Sequence, residues 1–115
     1  MAVEYDFEIE QGATLSKILN WKDKTGWPVD LSGYTAKMQV RKSVTSEEVL
    51  LTLSTANNTI KLSHKGQIEI YMSASATSSI AWTKGKYDLE ITSPDGVVKR
   101  LIYGVITVSP EITRD

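Results

Sequence analysis

Few side chains in this sequence have the types and spacing that chemistry needs. His64 is the single histidine and sits in Ser63-His64-Lys65-Gly66, a run that reads as a turn. As a general base it would need a positioned partner, so its plainer reading is a solvated turn residue. One histidine without any cysteine leaves little from which to build a transition-metal site. The acidic row Glu4, Asp6, Glu8 and Glu10 invites a calcium or acid/base reading. Alternate residues of a strand, however, stand roughly 6.5–7 Å apart, too far for neighbours to share one cation at about 2.3–2.6 Å. A charged outer strand face explains the row better. Pairing it with a second charged face carrying Lys37 and Arg41 would help strand register, at roughly 0.2–1 kcal/mol per cross-strand pair. Ser93-Pro94-Asp95-Gly96 suits a tight reversal more than an acid site. The glycines are dispersed, and no phosphate-cradling loop is present. The sequence therefore predicts a non-enzyme, with no cofactor and no metal.

The aromatic residues suggest binding instead. Trp27 lies beside Pro28 in a turn, where a large ring is less expected to be buried. Tyr71 falls on the polar side of its strand, while Trp21 and Trp82 read as covers for the core edge. Exposed rings can anchor a protein interface or stack on a sugar.

Composition narrows the partners. The 115 residues carry a formal net charge of −1 and no cysteine. That length suits one domain, residues 1–115, large enough to fold without covalent staples. The basic field of a general nucleic-acid binder is missing. The acidic start "MAVEYDFEIE" does not read as a signal peptide, and no run approaches the roughly 20 apolar residues of a membrane span. The expectation is a soluble protein made in a cytoplasm, binding neither nucleic acid nor membrane.

The elements that must position these residues show a period of two. Tyr5, Phe7 and Ile9 alternate with carboxylates, as on a strand with one buried face. Tyr34, Ala36, Met38 and Val40 repeat the pattern, as do Val49, Leu51 and Leu53, then Ile68, Ile70 and Met72, then Tyr87, Leu89 and Ile91. Leu15, Ile18, Leu19 and Trp21 keep no single period, which predicts a bulged or two-sided strand, with a short helix as the alternative. Asn57-Asn58 favours a turn with positive φ. In "SASATSSIAW", Ser73 or Ser75 could cap one helical turn. The strand after Gly96 has an apolar surplus, because Val97, Leu101, Tyr103 and Val105 compete with Val98, Ile102, Ile106 and Val108 for the buried side. A bulge at Gly104 would switch the set. About seven short strands with at most one short helical turn predict an all-β, immunoglobulin-like β-sandwich.

The stretches "GWPVDLSGYTAKMQVR", "VLLTLST" and "GKYDLEITSPDGVVKRLIYGVITVSPEITR" resemble a family of small tailed-bacteriophage and prophage structural proteins. Members share an "xPVDLTGxTxxxxVR"-like strand entry and a "YDLEIxxPDGxxxRLLxGxVxVxPEVTR"-like ending. The likeness runs from about Phe7 to Arg114, with the segments in the same order. It departs at "SASATSSIAWTKG", which is serine-rich where the family has a short acidic, alanine-rich helix. The resemblance implies a virion protein of tail, baseplate or fibre-attachment type, without catalytic residues, in contact with other virion proteins and with copies of itself. Trp27, Tyr71, Leu101, Tyr103 and Val105 are the candidate interface residues. The alternative is a carbohydrate-binding module that contacts host glycans through Trp27 and neighbouring aromatics.

Overall fold

Alternation decides most of the strands. In β4 (Thr35–Arg41) the side chains of Ala36, Met38 and Val40 are buried. In β8 (Lys84–Thr92) the same holds for Tyr87, Leu89 and Ile91. The two strands pair antiparallel with Met38 opposite Leu89, so their apolar rows fall on one side of a shared sheet. On the other flank of β4 runs β5 (Leu51–Ser54), and on the other flank of β8 runs β9 (Val98–Ser109). The computed structural model describes residues 2–113.

The first strand comes in two pieces, β1 (Val3–Glu4) and β2 (Phe7–Glu10). Both run parallel to β9, Glu4 opposite Tyr103 and Phe7 opposite Ile106. Phe7 and Ile9 are buried while Glu8 and Glu10 face solvent, which follows the alternation. The break falls at Tyr5 and Asp6. Tyr5 donates its N–H to the Tyr103 carbonyl at 2.8 Å, and an Asp6 carboxylate oxygen accepts from Val105 N at 2.8 Å.

The second sheet has the order β3 (Leu15–Asn20), β7 (Gln67–Met72), β6 (Ile60–Leu62). β3 is a regular antiparallel partner of β7 from Leu15–Met72 to Asn20–Gln67, with neither bulge nor helix. Its inward row is Leu15, Lys17 and Leu19, and the lysine in that row is what hides the period. The Lys17 ammonium group crosses to the other sheet, donates to Tyr5 Oη at 3.2 Å, and lies 5.6 and 5.3 Å from the Tyr5 and Phe7 ring centres. Its aliphatic stem fills the core row and the charge exits at the rim. Asn58 takes a φ of 65° in the turn before β6.

Ser73 caps the single helical turn, α1 (Ala74–Ser78), accepting from Ala76 N at 3.1 Å. So short a helix is marginal alone. Thr77 anchors it: its fully buried hydroxyl donates to the Ala13 carbonyl at 2.8 Å and accepts from Gly12 N at 3.1 Å. No helix among the described residues is long and apolar enough to cross a membrane.

The sheets face each other across Ile9, Met38, Leu53, Leu89 and Ile106 on one side and Ile60, Ile68 and Ile70 on the other. Each such side chain, fully buried, contributes about 1.5–3 kcal/mol. The architecture is an immunoglobulin-like β-sandwich, of the variable type in carrying an extra strand beside β4. The chain's first strand, which would flank β3 in a four-stranded second sheet, lies against β9 instead.

Two expectations are corrected. The bulge in the last strand is not at Gly104. The β8–β9 register shifts between Leu89 and Glu90, which face Ile102 and Arg100, so Leu101 is the extra residue. Gly104 has a different cause, the close passage of the N-terminal strand: a Cβ there would overlap the Tyr5 carbonyl and stand 2.6 Å from Asp6 Oδ1. The acidic first strand does not pair with Lys37 and Arg41 either. β9 and β8 intervene, and Lys37 lies opposite Glu90 instead.

Candidate protein interface

Register decides which side chains of β9 are available. Tyr103 lies opposite Asp88 and Val105 opposite Lys86. Asp88 and Lys86 alternate with the buried Tyr87 and Leu89, so Tyr103 and Val105 point away from the core. Tyr103 is 41% exposed. They border a shallow groove of about 570 Å³ on the outer face of the six-stranded sheet, together with Gln39, Arg41, Lys86 and Asp88.

The charges around this groove are of both signs. Arg100 Nε is 3.4 Å from Asp88 Oδ2 in an exposed ion pair. Such a pair contributes about 0–1 kcal/mol, so it orients side chains more than it stabilises. Arg41 is held firmly, donating to the Ser46 and Glu47 carbonyls at 2.8 and 2.7 Å and to Gln39 Oε1 at 3.1 Å. Beneath the groove, the buried Tyr87 hydroxyl donates to the Tyr5 carbonyl. Burial pushes the Tyr87 pKa well above the usual tyrosine value, and Tyr5 and Asp6 add to the shift. The hydroxyl therefore stays a donor at any physiological pH. It fixes the strand crossing that holds Tyr103 and Val105 in place.

The other candidate residues lie elsewhere. Leu101 does not share the Tyr103 face: as the bulge residue it is half-buried and packs against the core beside Ile102. A bulge puts two neighbours on one side of a strand, which resolves the apolar surplus read from the sequence. Tyr71, 44% exposed, stands on the outer face of the opposite sheet, beside Ser16. Ile18 on that face is 55% exposed and lies opposite Glu69. The sequence pattern hides its exposure because residue type alone groups Ile18 with Leu15 and Leu19. The signal that separates them is strict alternation with Lys17 counted as an inward residue.

Trp27 forms a third location, 71% exposed on a short turn. One Asp23 carboxylate oxygen accepts from Thr25 N at 2.9 Å, Thr25 Oγ1 at 2.6 Å and Trp27 N at 3.1 Å. These bonds, the Thr25 hydroxyl first, hold the Asp23 carboxyl below its ordinary value. The turn is thus built around an ionised carboxylate and presents the indole to solvent. No second ring stacks on Trp27 among the described residues. Trp21 is engaged elsewhere, edge-on to Tyr34 with ring centres 6.5 Å apart and Lys99 above it.

His64 is exposed in its turn. No group of three or more His, Cys, Asp or Glu residues is placed to hold a metal ion among the described residues. What the arrangement offers is surface: a polar groove with an apolar strip, one presented tryptophan, and a sheet face with Ile18 and Tyr71.

No family model matches the chain, and no curated protein matches it. Solved structures do. The extracellular domain of the voltage-gated sodium channel β4 subunit, described as forming parallel homodimers that explain its role in cell–cell adhesion, aligns over 95% of this chain and 93% of its own. The identity is 13% and the TM-score 0.50. Tim-1 aligns over 100% of both chains at 14% identity and a TM-score of 0.50. Murine CRIg aligns over 92% of both at 14% identity and a TM-score of 0.44. The first two likenesses show the immunoglobulin-like fold.

Proposed function

We propose that this chain is a non-enzymatic structural subunit of a tailed-bacteriophage particle, a tail, baseplate or fibre-attachment adaptor that works through protein–protein contacts. The observation that carries the reading is the outer face of the six-stranded sheet. Tyr103 and Val105 form an apolar strip there, bordered by Arg41, Lys86, Asp88 and Arg100. Interfaces commonly combine an aromatic anchor with a charged rim. The setting rests on the family-like strings between Phe7 and Arg114. The test is incorporation. Wild-type chain supplied to the parent phage should be recovered in purified particles, and Tyr103→Asp with Val105→Asp should fold but be left out. Particles that form without the wild-type chain, or that take up the double variant equally, would refute the reading.

One observation favours a second reading. Trp27 is the most exposed of the candidate rings, and the Asp23 bonds to Thr25 and Trp27 shape its turn so that the ring is presented to solvent, where a glycan could meet it. The lack of a stacking partner weakens it, since a flat sugar-binding platform needs more than one ring face. Measurable glycan binding abolished by Trp27→Ala, with particle incorporation unchanged, would favour this alternative.

A further inference from the structure

Among the described residues, every sheet edge in this sandwich is closed, short or charged, except one. The edge of β5 is closed by its own turn: the Thr52 carbonyl accepts from Asn57 Nδ2 at 3.0 Å, Ser54 N donates to Asn57 Oδ1 at 3.1 Å, and the Ser54 carbonyl accepts from Thr59 N at 3.1 Å. β6 spans only three residues. β1 and β2 are interrupted at Tyr5 and Asp6 and carry exposed glutamates. The portion of β9 beyond β1 is brief and includes Lys99 and Arg100. Short, bent or charged edges resist strand addition.

β3 has none of these defences on its free side. Trp21 N donates to the Gly66 carbonyl at 2.8 Å in the same register that pairs Leu19 with Ile68 and Lys17 with Ile70. Antiparallel ladders alternate, so Leu15, Lys17 and Leu19 turn their main chain to β7, and Ser16, Ile18 and Asn20 turn theirs outward. The N–H and C=O groups of those three residues have no partner among the described residues. The strand contains no proline, glycine or bulge. An inward lysine on an edge strand usually blocks pairing. Here Lys17 is folded across the mouth of the sandwich onto Tyr5 and Phe7, away from the edge.

We infer that β3 is a self-pairing edge, where two copies join β3 to β3 antiparallel about a two-fold axis at Ile18 into one continuous sheet. The register follows from parity. Two conditions must hold together: outward-facing main-chain groups must meet each other, and inward side chains must stay inward. Ile18 opposite Ile18 satisfies both, placing Ser16 opposite Asn20 and Lys17 opposite Leu19. It gives every free group of Ser16, Ile18 and Asn20 a partner. A slip that centres the axis on Lys17 sets two ammonium groups against each other, which like-charge repulsion disfavours. A slip that centres it on Leu19 leaves Ser16 unpaired within the strand. The self-complementary pairing is what a closed dimer requires. It also gives the exposed Ile18 a contact, its own copy, in a row flanked by Glu69. This deepens the assembly reading by naming a partner, a second copy of the chain. It uses a different surface from Tyr103 and Val105, so the two can fail separately.

The absence of cysteine permits a clean test. Residues opposite each other in a hydrogen-bonded antiparallel pair lie about 5.5 Å apart between Cα atoms, inside the roughly 4.4–6.8 Å range of a disulfide. Ile18→Cys should oxidise to a covalent dimer. Asn20→Cys, which faces Ser16 of the second copy, and Tyr103→Cys should not. Wild-type mass by sedimentation should double with concentration. Ile18→Pro should stay monomeric with its fold intact, because the Ile18 N–H points away from β7. If Ile18→Pro fails to fold, the cysteine series decides. A wild-type chain that remains monomeric throughout, a dimer indifferent to Ile18→Pro, or crosslinking at 20 or 103 in place of 18 would overturn the inference.

Discussion

The crossing of the N-terminal strand over Gly104 can be tested with one methyl group. In Gly104→Ala the new Cβ would overlap the Tyr5 carbonyl oxygen and stand 2.6 Å from Asp6 Oδ1 and 2.8 Å from Tyr5 C. Two of these are main-chain atoms, so the strand itself must move. Three hydrogen bonds depend on its position: Tyr5 N to the Tyr103 carbonyl, Val105 N to Asp6, and the Tyr87 hydroxyl to the Tyr5 carbonyl. An ordinary bond contributes about 0.5–1.5 kcal/mol, one to a charged group about 1.5–3, and a buried hydroxyl left alone costs about 1–3. Their complete loss would come to about 3–7.5 kcal/mol, and a strand that shifts without detaching keeps part of this, which leaves a loss of about 3–5 kcal/mol. The stiffer unfolded chain offsets about 0.4–1 kcal/mol of it. Against a typical domain stability of about 5–15 kcal/mol, this is a large fraction. It should lower the melting temperature by roughly 10–20 °C on the scale of about 4 °C per kcal/mol for a chain of this size. Urea titration should move the midpoint with little change in slope. A double-mutant cycle with Tyr87→Phe should be strongly non-additive, because each change breaks the same bond. A Gly104→Ala protein as stable as wild type would refute the close-passage explanation.

Other outcomes follow from single contacts. Thr77→Val keeps shape but leaves Gly12 N–H and the Ala13 carbonyl without their hydroxyl, so it should cost about 2–3 kcal/mol, measured by urea denaturation. Lys17→Leu completes the apolar row of β3 while removing the only charge on that strand. The melting temperature should change by only a few degrees, and sedimentation should show stronger self-association. The Asp23 turn should respond to acid. Its folded pKa lies below the ordinary value of 3.8, so its contribution is fully present above that value and is lost as pH falls through the lower folded pKa. Fluorescence anisotropy of the Trp27 indole, isolated by replacing Trp21 and Trp82 with Phe, should therefore hold constant through mildly acidic pH and fall only below the usual carboxylate range. Asp23→Ala should show the low value at every pH.

The sheet that carries the Tyr103 face could be read largely from side-chain parity. Ala36, Met38 and Val40, and likewise Tyr87, Leu89 and Ile91, alternate without exception, and burial follows them. β3 was obscured by one residue. Lys17 reads as polar by type, yet its stem behaves as core and its charge leaves through the rim. The last strand was obscured for another reason: Gly104 answers to Tyr5 and Asp6, nearly the whole chain length away in sequence, which no local pattern contains. Leu101 looked like a member of the Tyr103 face because period-two counting assumes no bulge, and the shift at Leu89 and Glu90 breaks it. The candidate contacts were legible as exposed aromatics but not as a group. Trp27, Tyr71 and Tyr103 occupy a turn and two opposite faces, and only pairing register could show that. The unpaired edge at Ser16, Ile18 and Asn20 is equally a property of topology. It exists because the first strand lies on β9 and not on β3.

The central claim is that this sandwich acts by contact with other protein subunits in a particle. Amine-reactive crosslinking of intact, purified particles of the phage that the proposed function implies, read by mass spectrometry, tests it most directly. Lys37 and Lys86, which line the outer groove, should link to another structural subunit and should lose that link in the Tyr103→Asp, Val105→Asp variant. A chain missing from the particles, or one whose Lys37 and Lys86 link only within itself, would contradict the account.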